Sequence, residues 1–252
     1  MPVTVPAHQA VAVVKLRWPR GFDGVALVVG SVSPDLAYAF IPWIEIPSHT
    51  PAALLYWCLP VTLAVSWLLR RFALRGAAYL PDLGVLRIRD YAGCAAVSHR
   101  SWVTLSSALL GAASHILWDF FTHDTGAPRL WPGMAQEAVA GLPWYQLAQY
   151  ASGVVGTLAV GAMAVAVGSR RLLPRWHGRP PADPPVPPPA GMWWAVVLGG
   201  AAATLVPALL FPWLGGLHIL AARLLWAALI ATSIAGAVVA ARSEGRFTSR
   251  LT

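Results

Sequence analysis

Apolar runs of about 20 residues recur along the chain, and they constrain its fold more than any other feature. A helix of that length crosses the ~30 Å hydrocarbon core of a bilayer, where the backbone polar groups must be satisfied within the protein. The composition agrees, since 57% of the residues are hydrophobic, 11% are charged and the mean hydropathy is +0.60. We therefore predict an all-α, polytopic transmembrane helical bundle. Its five full spans are predicted at 51–69, 101–121, 147–168, 192–211 and 217–240.

The basic residues fall in alternating segments between these spans. Three precede Gly21, six lie within 70–100, four within 170–179 and three within 242–250. Such alternation follows the positive-inside rule, and it predicts a multi-pass protein of the bacterial cytoplasmic (inner) membrane with a cytoplasmic C-terminus. Topology thus accounts for the net charge of +8, and we expect no nucleic-acid partner. The sequence predicts no oligomeric state.

Residues 1–46 allow two interpretations, because 8–18 is too short to cross a bilayer and 24–32 is interrupted at Ser33-Pro34. One is a broken or re-entrant helical hairpin with its turn at 19–24. At ~1.5 Å of rise per residue, this hairpin brings His8 and Asp35 to the same depth. The other is a single tilted span that leaves His8 in the cytoplasm.

A proline-rich segment at 179–191 predicts an extended linker. We accordingly divide the chain into a metal-site membrane helical core at 1–168, a cytoplasmic linker at 169–190, and a C-terminal transmembrane hairpin with a basic tail at 191–252.

Three chemically active side chains recur at four-residue spacing within the apolar run SHILWDFFTHD. On a helix, His115, Asp119 and His123 line one face together with Thr122. Two imidazoles and a carboxylate suit zinc, and their burial in an apolar run is costly without a partner. The alternative is a polar seam that packs helices together.

Further candidates lie where the predicted spans meet the outer face. Asp35 follows the helix-breaking Pro34, His8 joins it in the hairpin interpretation, and His49 precedes a span. The predicted metal ligands are therefore His8, Asp35, His49, His115, Asp119 and His123, for one or two zinc or other divalent ions. The predicted catalytic residues are Asp35, Asp119 and Glu137, with Thr122 and Asp124 orienting ligands and with His218 and Arg223 contacting a lipid headgroup. For Glu137 a solvated loop position, and for Arg223 snorkelling, are the alternatives.

Several segments together resemble a known family. The opening MPVTVPAH, the GSVSPDL run, the His49-Thr50 pair, SHILWDFFTHD and LPWYQLAQYASGVVG are similar to the domain of unknown function 4184 family, over 1–168. That family is similar to bacterial proteins described as membrane-bound metal-dependent hydrolases. More distantly, an Asp followed 14 residues later by a His, and a His-x-x-x-Asp helix, resemble zinc-dependent phospholipase C. The further His and Glu ligands of those enzymes have no counterpart here beyond Glu137.

The resemblance implies a membrane-embedded, zinc-dependent hydrolase of phosphoesters, with a phospholipid or a lipid-linked phosphate as substrate. A non-catalytic membrane metal-binding or transport protein is the alternative, because intramembrane Asp and His also build ion pathways.

Overall fold

The computed structural model describes residues 5–177, 191, 194, 197–202 and 216–248, and these are mostly helical. The α-helices are α1 (Val5–His8), α2 (Val14–Arg17), α3 (Gly24–Gly30), α4 (Leu59–Leu68), α5 (Leu74–Gly76), α6 (Ser101–Thr122), α7 (Ala127–Leu130), α8 (Trp144–Ser169), α9 (Leu172–His177) and α10 (Leu217–Thr248). Short 3₁₀ segments lie at Gln9–Val13, Asp35–Phe40, Ala77–Tyr79, Ile88–Ala96 and Pro132–Ala135, and π-helical turns lie at Leu54–Cys58 and Leu69–Ala73.

Three of the described helices are long and apolar enough to cross a membrane. They are Leu54–Gly76, Trp144–Ser169 and Leu217–Val238, which correspond to the predicted spans at 51–69, 147–168 and 217–240. The predicted span at 101–121 forms α6, but its serines, threonines, His115 and Asp119 make it too polar to be counted with them. The span at 192–211 and the linker at 179–190 lie largely outside the described residues. The described part of the chain therefore supports three spans rather than five.

The chain divides into two compact units. The first comprises Met1–Leu63, Arg100–Met163 and Gly216–His218, and the second comprises Ala64–His99, Ala164–Gly215 and Ile219–Thr252. The domain boundaries at 168 and 190 stay a prediction.

In the first unit, Asp23 joins the N-terminal hairpin to α6. Its Oδ1 accepts hydrogen bonds from the N–H groups of Val25 and Ala26 and so caps α3. The hydroxyl of Thr104 donates to Asp23 Oδ2 at 2.9 Å, and the N–H of Asp23 donates to Ser107 Oγ at 2.9 Å. The carboxylate is fully buried, so these bonds fix where α3 starts along α6.

Two glycines allow α3 and α6 to pack with their backbones in contact. A Cβ at Gly30 would collide with the carbonyl oxygen of Ala108, and a Cβ at Gly111 would collide with that of Leu27. This close crossing sets the end of α3, and hence Asp35, beside the middle of α6.

In the second unit, the carboxylate of Asp90 is buried and bound by one arginine. Arg171 pairs ionically through Nε with Asp90 Oδ2 at 2.7 Å and donates a hydrogen bond from its terminal nitrogen to Oδ1 at 2.9 Å. This two-point contact joins the 3₁₀ segment Ile88–Ala96 to the start of α9.

One element departs from the all-α prediction. Strands Glu137–Val139 (β1) and Leu142–Pro143 (β2) pair antiparallel in the 125–143 loop, between the predicted spans at 101–121 and 147–168. Ala140 and Gly141 both have positive φ, which makes the two-residue turn that joins twisted strands. Strands this short cannot show the alternating hydrophobic pattern by which a strand is predicted from a sequence.

Candidate metal centre

Four side chains from three separate segments converge in the first unit. Asp35 begins a 3₁₀ segment, His49 lies in the loop before Leu54–Gly76, and His115 and Asp119 lie one turn apart on α6. One ligand atom from each lies within 4.8 Å of the others. Sequence separations of up to 84 residues are thus closed by the packing of α3 on α6.

The distances within this cluster suit a small cation. Asp119 Oδ2 lies 3.2 Å from His115 Nε2 and 3.4 Å from His49 Nε2. Asp35 Oδ1 lies 3.5 Å from His115 Nε2 and 3.3 Å from His49 Nε2, and these two nitrogens are 3.2 Å apart. Two imidazole nitrogens and two carboxylate oxygens form the mixed donor set that zinc accepts, so these residues fit a divalent ion.

Hydrogen-bond contacts of their Nδ1 atoms fix the ring orientations of both histidines. His115 Nδ1 lies 2.8 Å from the carbonyl oxygen of Ser31, which can only accept, so this nitrogen carries a proton. His49 Nδ1 lies 3.1 Å from Ser48 Oγ and 3.4 Å from the hydroxyl of Tyr38. In a neutral His115, the Nε2 lone pair therefore faces the carboxylates, as metal-binding histidines require.

The pKa values of the cluster residues show how their charges compensate one another. Burial alone would raise the pKa of the Asp35 carboxyl, but the neighbouring His115, with hydrogen bonds from His115 and His49, holds that pKa well below its usual range. Burial alone would lower the pKa of His49, whereas hydrogen bonds to Asp119 and Asp35 raise it. The imidazoles thus carry protons that compensate the charge of two buried carboxylates. A bound cation would compensate the same charge.

His8 lies on the other side of Asp119. Its Nε2 is 3.5 Å from Asp119 Oδ1, and its ring stacks on that of His115 with centroids 3.8 Å apart. Asp119 Oδ1 is buried and accepts no hydrogen bond within the described part of the chain. The structure therefore places His8 beside the cluster that contains Asp35.

His123 lies beside the cluster but faces the backbone. Its Nδ1 is 3.2 Å from the carbonyl oxygen of Asp119, 3.2 Å from Thr122 Oγ1 and 3.5 Å from Asp119 Oδ1. Thr122 already donates to the carbonyl of Trp118 at 3.0 Å, so His123 Nδ1 is assigned as the donor here. Its Nε2 then accepts from the amide of Gln149 at 3.1 Å. His123 is therefore outside the converging group of four, and Thr122 Oγ1 lies within hydrogen-bond distance of its ring.

A family model described as "Domain of unknown function (DUF4184)" matches residues 1–242. The chain belongs to this family. The match extends well beyond the predicted 1–168 and includes described residues of α10. No curated protein and no solved structure matches the chain.

Three predicted site residues of this DUF4184 chain are not members of the cluster. Glu137 is exposed in the β1–β2 hairpin, where its Oε1 accepts a hydrogen bond from the N–H of Gly141 at 2.7 Å. Asp124 is exposed in the turn after α6, and Arg223 belongs to the second compact unit. His218, in contrast, belongs to the first unit and lies edge-on to Tyr38.

Three residues that contact histidines of the site were not predicted from the sequence. Tyr38 follows Asp35 by three positions, the spacing that places both on one side of a 3₁₀ turn. Ser48 directly precedes His49, and Gln149 is a buried amide in the mostly apolar α8. A polar side chain in an apolar helix was the available signal for Gln149.

Proposed function

We propose that this chain is a membrane-embedded, metal-dependent hydrolase of phosphoesters, with zinc as the metal. The observation that carries the proposal is the convergence of Asp35, His49, His115 and Asp119, with the protonated nitrogen of His115 fixed by Ser31. When bound, the cation supplies Lewis-acid stabilisation of charge and activation of water.

The residues of the chain then have distinct roles. Asp35, His49, His115 and Asp119 Oδ2 hold the cation. Asp119 Oδ1, buried and without a hydrogen bond among the described residues, accepts the proton of the attacking water. His8, 3.5 Å from that oxygen, stabilises its charge and offers a further ligand, and the Nδ1–H of His123, also 3.5 Å from that oxygen, stabilises the same charge. Glu137, in its exposed hairpin, has no part in this scheme.

The proposed substrate is a phospholipid or a lipid-linked phosphate. Three apolar helices able to span a bilayer support a membrane location. We further propose the bacterial inner membrane, with the basic segments and the C-terminus in the cytoplasm and with the polar α6 enclosed by other spans.

The first test is the metal content of the detergent-purified protein, measured by mass spectrometry. We expect about one or two zinc ions per chain, their loss in the His115→Ala/Asp119→Ala double variant, and their retention in Asp124→Ala. Release of phosphate or of a phosphorylated headgroup from phospholipids and lipid phosphates then tests catalysis. Zinc absent from a folded wild type, even after zinc is added, contradicts the proposal.

A non-catalytic metal-binding or transport protein is the second candidate, and one observation favours it. Four protein donors fill a tetrahedral zinc ion completely, as in structural sites, whereas catalytic sites keep one position open. The absorption spectrum of the cobalt-substituted protein separates the two. A spectrum that is unchanged by inorganic phosphate indicates a closed site, and one that responds indicates an open position.

A further inference from the structure

Tyr38 lies against the cluster without belonging to it. Its ring stacks on that of His49 with centroids 5.1 Å apart and an angle of 20° between the planes. Its hydroxyl is 3.4 Å from His49 Nδ1, the nitrogen that faces away from the carboxylates. Tyr38 is thus held at the edge of the proposed metal site by two contacts, one through its hydroxyl and one through its stacked ring.

Metal binding would change what this hydroxyl can do. A neutral His49 that binds a cation through Nε2 must carry its proton on Nδ1. That proton is donated to Ser48 Oγ, which at 3.1 Å is the nearer acceptor. Tyr38 cannot donate to a nitrogen that already carries a proton, so its own proton is available to a different acceptor. In the loaded site, Tyr38 is therefore a hydrogen-bond donor that lacks a protein acceptor at His49.

A second donor lies against the ring of Tyr38. His218 meets the Tyr38 ring edge-on, with centroids 5.0 Å apart and an interplanar angle of 80°. Its Nδ1 is buried and has no hydrogen-bond partner within the described residues. The ring folds back over Gly216, where a Cβ would approach Nδ1 to 3.1 Å. A buried ring nitrogen of this kind is normally satisfied, so His218 Nδ1 can donate to a bound ligand.

We propose that the Tyr38 hydroxyl and His218 Nδ1 bind the oxygens of a tetrahedral phosphate group beside the cation. Both groups can donate, and a phosphate offers several acceptor oxygens on one small centre. The cation is needed because Asp35 and Asp119 would otherwise repel an anion, so this inference depends on the proposed function. It assigns substrate recognition to two residues that bind no metal.

The test is the affinity of inorganic phosphate for the zinc-loaded, detergent-purified full chain, measured by calorimetry. Loss of one hydrogen bond to a charged group weakens binding roughly tenfold or more. We expect that loss in Tyr38→Phe and independently in His218→Gln, with zinc content unchanged. Tyr56→Phe is the matched control, because the Tyr56 hydroxyl donates to the carbonyl of Pro47 at 2.7 Å; His177→Gln is the control for histidine.

The outcomes distinguish the two proposals. Zinc-loaded wild type that binds no phosphate, or two variants that bind it as well as wild type does, overturns the Tyr38–His218 site and leaves the metal site standing. A wild type that holds no zinc overturns both. A parallel titration with dihexanoyl phosphatidic acid identifies the natural source: tighter binding than inorganic phosphate, lost in the same variants, indicates a lipid phosphate, and equal binding with the same losses indicates free phosphate.

Discussion

At the scale of single residues, Ser48 sets the orientation of a metal-binding ring without binding metal. Its hydroxyl accepts from His49 Nδ1 in the loaded site, and it is almost fully buried. Removing such a partner typically weakens metal affinity by about 10–100-fold. We expect that loss for Ser48→Ala in competition with a chelating dye. Ser106→Ala is the control, since Ser106 bonds only its own helix at the carbonyl of Val103, and equal losses in both variants would contradict this role.

His49 also makes zinc binding depend on pH. Hydrogen bonds to Asp119 and Asp35 raise its pKa in the metal-free site, whereas coordination requires the neutral ring. Protons therefore compete with zinc as the pH falls through that raised pKa, and affinity rises as the pH increases. For each proton released the gain is about tenfold per pH unit. Dye competition at about pH 6, 7 and 8 measures it, and an affinity that is constant across this range would exclude proton release from the site.

At the scale of elements, the crossing of α3 and α6 holds the site together. Gly111→Ala forces a methyl group against the carbonyl oxygen of Leu27, and overpacking of this kind costs ~1–3 kcal/mol. We expect a lower unfolding temperature in detergent and weaker zinc binding, because Asp35 moves relative to Asp119. Gly161→Ala on α8 is the matched control: its Cβ meets no atom within 4 Å, and alanine favours a helix. Unfolding at the same temperature in both variants would show that the crossing tolerates the extra volume.

At the scale of the whole molecule, spacing within a segment predicted which side chains lie together. Contacts between separate helices could not be predicted in this way. Four-residue spacing predicted that His115 and Asp119 share a helical face, and helical rise predicted that His8 and Asp35 meet. Tyr38, however, contacts the site through His49, and Gln149 reaches His123 from another helix. Such contacts depend on how helices cross, which the spacing within one segment does not encode. Glu137 is predicted to be catalytic as the only carboxylate of its loop, but the turn at Ala140–Gly141 holds it in an exposed hairpin.

The proposed membrane orientation can be tested by labelling introduced cysteines. In the proposed topology the basic segment 70–100 lies in the cytoplasm, and the 125–143 loop, with Arg129 as its only basic residue, lies outside. Leu83 and Trp131 are exposed representatives of these two segments, and both native cysteines, Cys58 and Cys94, are buried. In a background with both cysteines replaced by alanine, a membrane-impermeant maleimide should label Trp131→Cys in intact cells. Leu83→Cys should react only after permeabilisation, and the reverse pattern would place the C-terminus outside.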